Sequence, residues 1–393
     1  MKTIYLLIAF TLFATLLPGC GAKEAPVVAV PEGTLVVSDN RGQDSTTDRD
    51  EHAQEKAALQ NLLDQQVEKQ DIPGMVMAER LADSTVIWAA SGYITPSGRE
   101  RWNANTVSLI ASITKTFTAV VVMQLVEEGK LSLDDTVDTW FPEQPNGDSI
   151  TVRMLLSHTS GLADYPFGAD FEKWAREWTP EDLIAEANKA GPVGKPGSRI
   201  AHYSSPNYIM LGLIIEKITG NSWAHEVESR IIQPLGLKDT TFMKEDIWTS
   251  GDVVPGYVKT PDGYVIALEL FPQPPHISTA WAAGGVLSTV SDLMTFASAL
   301  FDGKLVSKET LAIMTQPVGT DGRRTWALGG GVMEVNGHNV FAMGGYTTGY
   351  HAFFVGIPDS KLVVTALVNT DEGDVISPSL TALHYISQQN ESR

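Results

Sequence analysis

Cysteine is almost absent: Cys20 is the only one in 393 residues, so no disulfide forms within the chain. Basic residues are also scarce. Lys and Arg number 28 against 47 Asp and Glu, a formal net charge of −19. No Lys/Arg cluster offsets this, so neither nucleic acid nor an anionic surface is an expected partner. The apolar stretch Ile4 to Leu17 is too short for a comfortable membrane span. Several catalytic signatures are missing. There is no G-x-S-x-G elbow, which argues against an α/β-hydrolase. There is no H-E-x-x-H, because Ser229 stands where the second His after His225-Glu226 would be. No Walker loop or G-x-G-x-x-G follows a strand-like run. The 43% hydrophobic content supports a large core, in one composite domain or two.

The N-terminus reads as an export signal over residues 1–19, with Lys2 before the apolar stretch. Leu17-Pro18-Gly19-Cys20 resembles the lipobox of bacterial lipoproteins, which implies lipidation of Cys20 and a membrane tether. An ordinary cleaved signal is the alternative. Gly21, rather than Asp, after the cysteine leans toward the outer membrane. Residues 20–55 are rich in Pro, Gly, Ser, Thr and acids and read as a flexible tether. The expected location is therefore the bacterial cell envelope, facing periplasm or exterior.

Order is expected from about Lys56. Leu59, Leu62, Leu63 and Val67 recur at helical spacing, and Ile72-Pro73-Gly74 ends that helix. Met75–Leu81 and Thr85–Ala90 read as strands. Ser112 to Glu128 reads as a helix apolar nearly all round, hence a core helix. The stretch from about 131 to 272 is rich in helical patterns, clearest at Tyr208–Ile218 and Trp223–Ile232. Ser291–Phe301 is helical. Asn339–Met343, His351–Gly356 and Leu362–Asn369 read as antiparallel strands, and Ser377-Pro378 as the start of a last helix. The domain 56–393 thus has α/β segments at about 56–130 and 273–393 around a helical insert.

Chemistry enters at Ser112-Ile113-Thr114-Lys115. Residues three apart share a helix face, so the lysine stands beside the serine hydroxyl. Burial disfavours a charged ammonium, and a neutral amine accepts a serine proton. At the helix N-terminus the Ser112 N–H is free for an oxyanion. One S-x-x-K pattern is common by chance, and a buried N-cap serine with a snorkelling lysine is the structural alternative. Tyr203-Ser204-Ser205, before a buried helix, is a candidate proton relay or a packing site. Met343-Gly344-Gly345-Tyr346 at a strand end is a ligand edge or a hairpin corner.

These three segments, in this order, resemble the serine β-lactamase and penicillin-binding-protein-like superfamily. The resemblance is nearest to its branch of class C β-lactamases, D-alanyl-D-alanine carboxypeptidases and family VIII carboxylesterases. Val152 to Leu162, Tyr203 to Gly212, Pro234-Leu235-Gly236-Leu237 and Ala282 to Thr289 extend it over about Lys56 to Ile386. It implies an α+β fold: an antiparallel sheet flanked by helices, plus a mostly helical subdomain, with the site between them. It implies Ser112 as nucleophile, Lys115 as its base and Tyr203 as proton shuttle. The oxyanion donors would be the N–H groups of Ser112 and Tyr346, with Ser205, Met343, Gly344 and Gly345 around the substrate. No metal or organic cofactor is implied, and the partner is a small-molecule or peptide substrate. The oligomeric state is left open.

Two departures bear on function. Ser205 stands where the family has an amide-bearing Asn, and Met343 where it has Lys or His. Met offers neither charge nor a strong hydrogen bond, and a charge-assisted bond contributes about 1.5–3 kcal/mol. The expectation is an esterase or D-Ala-type peptidase rather than a β-lactamase. A non-catalytic envelope binding protein is the competing class. His158, His202 and His351 are read as structural, Asp164 and Tyr165 as a cleft wall, and Trp281 as a candidate for substrate packing.

Overall fold

The computed structural model describes residues 52–165, 171–247, 250–270, 277–358 and 360–391. The stretches read as leader and tether, with Cys20, fall up to residue 51 outside the described residues. In chain order the frame consists of α1 (Ala53–Gln70), β1 (Gly74–Arg80), β2 (Val86–Gly92), α2 (Thr114–Glu127), α3 (Pro206–Thr219), α4 (Val290–Phe301), β3 (Gly319–Thr320), β4 (Thr325–Trp326), β5 (Gly331–Val335), β6 (His338–Thr347), β7 (Tyr350–Gly356), β8 (Val363–Val368) and α5 (Ile376–Glu391).

The eight strands form one antiparallel sheet in the order β2-β1-β8-β7-β6-β5-β4-β3. β1 pairs with β8 from Met75–Val368 to Arg80–Val363, so early and late segments close the same sheet. Side chains alternate across a strand, and β1 serves two cores at once. Met75 and Met77 pack with Leu59 and Leu63 of α1 and Leu383 of α5. Val76 and Ala78 join the larger core with Phe117 of α2 and Phe296 of α4, whose rings stack at 3.7 Å. Helices therefore cover both faces. The segment between α2 and α4 adds α3, the shorter helices Val152–Leu156, Pro180–Lys189 and Trp223–Val227, and the hairpin Tyr257–Thr260 with Gly263–Ile266.

The α+β expectation holds, with local corrections. α1 starts at Ala53, inside the stretch read as tether. Ser112 lies in a 3₁₀ turn, Ala111–Ile113, and α2 proper begins at Thr114. Gly344-Gly345 does not end its strand: β6 continues to Thr347. α5 begins at Ile376 rather than Ser377, because Asp374 Oδ1 accepts the N–H groups of Ile376 and Ser377 at 2.8 and 3.1 Å. Trp223–Ile232 is an α-turn followed by a π-helix over Glu228–Ile232.

Glu79 continues the Met75–Met77 face of β1 into the core. Its Oε2 has no hydrogen-bond partner among the described residues. Burial first, and Glu55 second, raise its pKa from 4.5 to about 8. The folded state therefore keeps a proton that the unfolded state releases, and stability falls as pH rises from 4.5 through about 8. Glu79→Gln is expected to raise the melting midpoint by several degrees at about pH 8 and much less at about pH 5. Calorimetry at the two pH values checks this; equal midpoint changes at both would contradict it.

Candidate active site

α2 is anchored by polar groups hidden in an apolar helix. Thr114 Oγ1 accepts the Val286 N–H at 3.0 Å. Thr116 donates to the Gly329 carbonyl at 2.7 Å and Thr118 to Ala282 at 2.8 Å. These bonds fix the helix to the late segment, Ala282 to Gly329, and so fix the turn that carries Ser112. That turn holds Ala111 at φ 43°, a left-handed conformation that costs a residue with Cβ about 1–2 kcal/mol.

Ser112 is half-buried and Lys115 is 1% exposed. Lys115 Nζ donates to Ser112 Oγ at 3.2 Å and to the Ala283 carbonyl at 2.8 Å. Tyr203 Oη lies 2.7 Å from Ser112 Oγ, and Lys115 Nζ lies 4.9 Å from the Tyr203 ring centroid. Residues 91 positions apart thus meet at one hydroxyl. The Ala283 carbonyl belongs to the Ala282–Thr289 run, which gives that segment a place at the site.

Tyr203 is held from behind. His158 packs against its ring at 4.5 Å. His158 Nδ1 accepts from the Ser204 N–H at 3.2 Å and from Asn207 Nδ2 at 3.1 Å, and Ser160 donates to Asn207 Oδ1 at 2.6 Å. Burial, then the nearby Lys115, holds the imidazole pKa well below its usual value. A neutral ring accepting at Nδ1 suits this network and positions the tyrosine loop. Ser157-His158-Thr159 therefore supports the site without touching Ser112.

The glycine pair splits in role. A Cβ on Gly345 would lie 1.9 Å from the Ile110 carbonyl oxygen and 3.2 Å from the Ser112 nitrogen. β6 reaches the nucleophile turn only because this side chain is missing. At Gly344 a Cβ would meet Phe353 at an ordinary 3.6 Å. The β5–β6 ladder ends at Gly331–Ala342, so the stretch Met343–Thr347 has a free edge toward β5 among the described residues. Tyr346 lies in this stretch and is 58% exposed. Gly345→Ala is expected to push β6 from the Ser112 turn and lower kcat/KM about tenfold to a hundredfold. The overpacking costs about 1–3 kcal/mol. Ester kinetics with a denaturant melt check both; unchanged kinetics would show that the approach does not matter.

Met343 is 4% exposed and part of the main apolar core. Its side chain fills protein interior rather than an open wall. Ser205 donates its backbone N–H to Asp164 Oδ1 at 3.0 Å, as does Tyr165 at 3.1 Å. Tyr165 is buried, bonded to the Thr279 carbonyl at 2.7 Å, and so packs the wall rather than lining it. The Trp281 indole packs against Gly212 and lies 5.9 Å from Trp223, within the helical part. His202 packs on Gly194, and His351 donates Nδ1–H to the Gly373 carbonyl at 2.6 Å.

The arrangement suits acyl transfer: a hydroxyl with a lysine and a phenol in contact, at a helix N-terminus beside a free strand edge. Comparison with known proteins gives the same direction. The chain resembles penicillin-binding protein PbpX of Bacillus subtilis, 31% identical over 220 residues, 55% of this chain and 51% of that protein. It thus spans about half the length of that relative. A D-stereospecific amidohydrolase from Streptomyces superposes with a TM-score of 0.70 at 31% identity, covering 82% of this chain and 97% of that one. The D-amino acid amidase of Ochrobactrum anthropi SV3 gives 0.76 at 25% identity, with 86% and 99% covered. The family model described as Beta-lactamase matches residues 59–384. That span takes in both sheet halves, the Ser112 turn, the Tyr203 loop and β6, and the chain belongs to the beta-lactamase family of serine hydrolases.

Proposed function

We propose that this chain is a cell-envelope hydrolase that forms an acyl-enzyme on Ser112, with esters and D-amino-acid amides as its substrate classes. The contact of Ser112 Oγ with both Lys115 Nζ and Tyr203 Oη carries this reading. Lys115 takes the proton as Oγ attacks the carbonyl carbon. The N–H groups of Ser112 and Tyr346 hold the oxyanion. Tyr203 passes a proton to the departing alcohol or amine and then takes one from the water that cleaves the acyl-enzyme, while Lys115 returns its proton to the departing Ser112 Oγ. The names of the two structural relatives support D-amino-acid amides as one class.

The envelope location rests on the leader pattern and on Cys20, the proposed lipid anchor. The apolar, buried Met343 argues against carboxylated β-lactams. Hydrolysis of p-nitrophenyl butyrate, a D-amino-acid amide and a chromogenic cephalosporin by the same preparation tests the assignment. The cephalosporin is expected to have a kcat/KM about ten- to a hundredfold below the others, the loss of one charge-assisted bond. A cephalosporin turned over best would favour a β-lactamase instead.

A further inference from the structure

The resemblance leads one to expect a cation near the substrate at position 343, and a buried methionine stands there. Carboxylates take up positions around the same cleft. Asp164 lies against the Tyr203–Ser205 loop and bonds to Ser205, two residues along the chain from Tyr203, whose hydroxyl touches Ser112. Its Oδ1 accepts the N–H groups of Ser205 and Tyr165, and the Ser205 side chain bonds to the same carboxyl. The residue opens to solvent, yet protein atoms crowd its carboxyl. That burial raises its pKa, opposed by the N–H donors and by the nearby Lys115. At β6, burial first, and then the charges of Asp371 and Glu372, raise the pKa of Tyr346. The charge pattern is the reverse of one that receives a substrate carboxylate.

Capping the start of α3 accounts for the bond to the Ser205 N–H. It does not account for an open carboxylate placed within the field of Lys115, beside a site lacking its expected cation. A partly desolvated carboxylate on a solvent-exposed residue favours a cationic ligand group. We infer that Asp164 is the specificity-determining carboxylate of this cleft and receives a free ammonium on the acyl group, so that aminoacyl esters and amides are preferred over N-acylated or anionic ones. This rests on the reading of Ser112 as nucleophile.

The test compares methyl esters of D-alanine and of 4-aminobutyrate with their N-acetyl forms, following methanol release by wild type and Asp164→Asn. The asparagine keeps an oxygen acceptor for the Ser205 and Tyr165 N–H groups. Wild type is expected to prefer the free ammonium at least about tenfold in kcat/KM for one pair or both, the order expected of a single charge-assisted contact. In Asp164→Asn the ratio of free to acetylated substrate should fall by about the same factor. Equal rates on free and acetylated esters in wild type would overturn the proposal without any variant. So would an Asp164→Asn loss that falls equally on both forms, which marks a purely structural cap. The hydrolase reading is judged separately on p-nitrophenyl butyrate. If that ester is turned over with no ammonium preference, only this proposal fails; if no ester is turned over, both fail.

Discussion

Ser112→Ala is expected to lower kcat/KM on p-nitrophenyl butyrate by about 10⁴-fold or more, leaving at most the residual rate of binding and oxyanion contacts. The size follows from geometry. Lys115 and Tyr203 both converge on Oγ, at 3.2 and 2.7 Å, so removing that atom removes the nucleophile on which both converge. The fold should tolerate the change. Ser112 lies in the 3₁₀ turn, half-buried, and the bonds that anchor α2 come from Thr114, Thr116 and Thr118 instead. Steady-state kinetics with a melting curve separates the two effects. An alanine variant within tenfold of wild type would mean that another group is acylated.

Tyr203→Phe should cut steady-state turnover by about 10²- to 10⁴-fold, the range of a positioned general acid–base group. Its distinguishing sign is kinetic. Lys115 remains bonded to Ser112, so acylation should suffer less than release of the acyl group. A stoichiometric burst of p-nitrophenol followed by a slow phase is therefore expected. The ring stays packed against His158 at 4.5 Å and against Trp326 at 5.5 Å, so loss of the hydroxyl alone should move the melting midpoint little. A variant that turns over within about threefold of wild type and shows no burst would reduce Tyr203 to a packing residue.

Sequence patterns carry the main parts of this site unevenly. The S-x-x-K pair is legible because residues three apart share a face, and that spacing survives although Ser112 sits in the 3₁₀ turn that leads into α2. Tyr203 is legible only through resemblance, since nothing local says that its hydroxyl comes within 2.7 Å of a serine 91 residues away. The Ala283 carbonyl under Lys115 is equally remote, 168 residues along. Gly345 reads as a place for a ligand, whereas the atom it admits is the Ile110 carbonyl. Asp164 reads as a wall, and only the fold brings it against Ser205.

The fold divides in the same way. β2 alternates buried and more open positions and is readable from its period, while β1 and β7, buried nearly throughout, are readable from their apolar composition and length. β3 and β4, at two residues each, contain too few positions for any period to appear. α5 starts one residue before the Ser-Pro pattern because Asp374, outside that pattern, satisfies the first N–H groups. Met343 is the reverse case. Its lack of charge is plain in the sequence, but its burial in the core, which leaves the cleft without that cation, appears only once β6 is placed.

The most direct test of Ser112 as the acylated group is intact mass spectrometry of the folded protein after exposure to a fluorophosphonate. Attack by Oγ on phosphorus with loss of fluoride adds one phosphonyl group. The expected result is a single adduct that peptide mapping places on Ser112, absent from Ser112→Ala and from protein denatured beforehand. A folded protein that stays unmodified, or an adduct on another residue, would contradict the assignment.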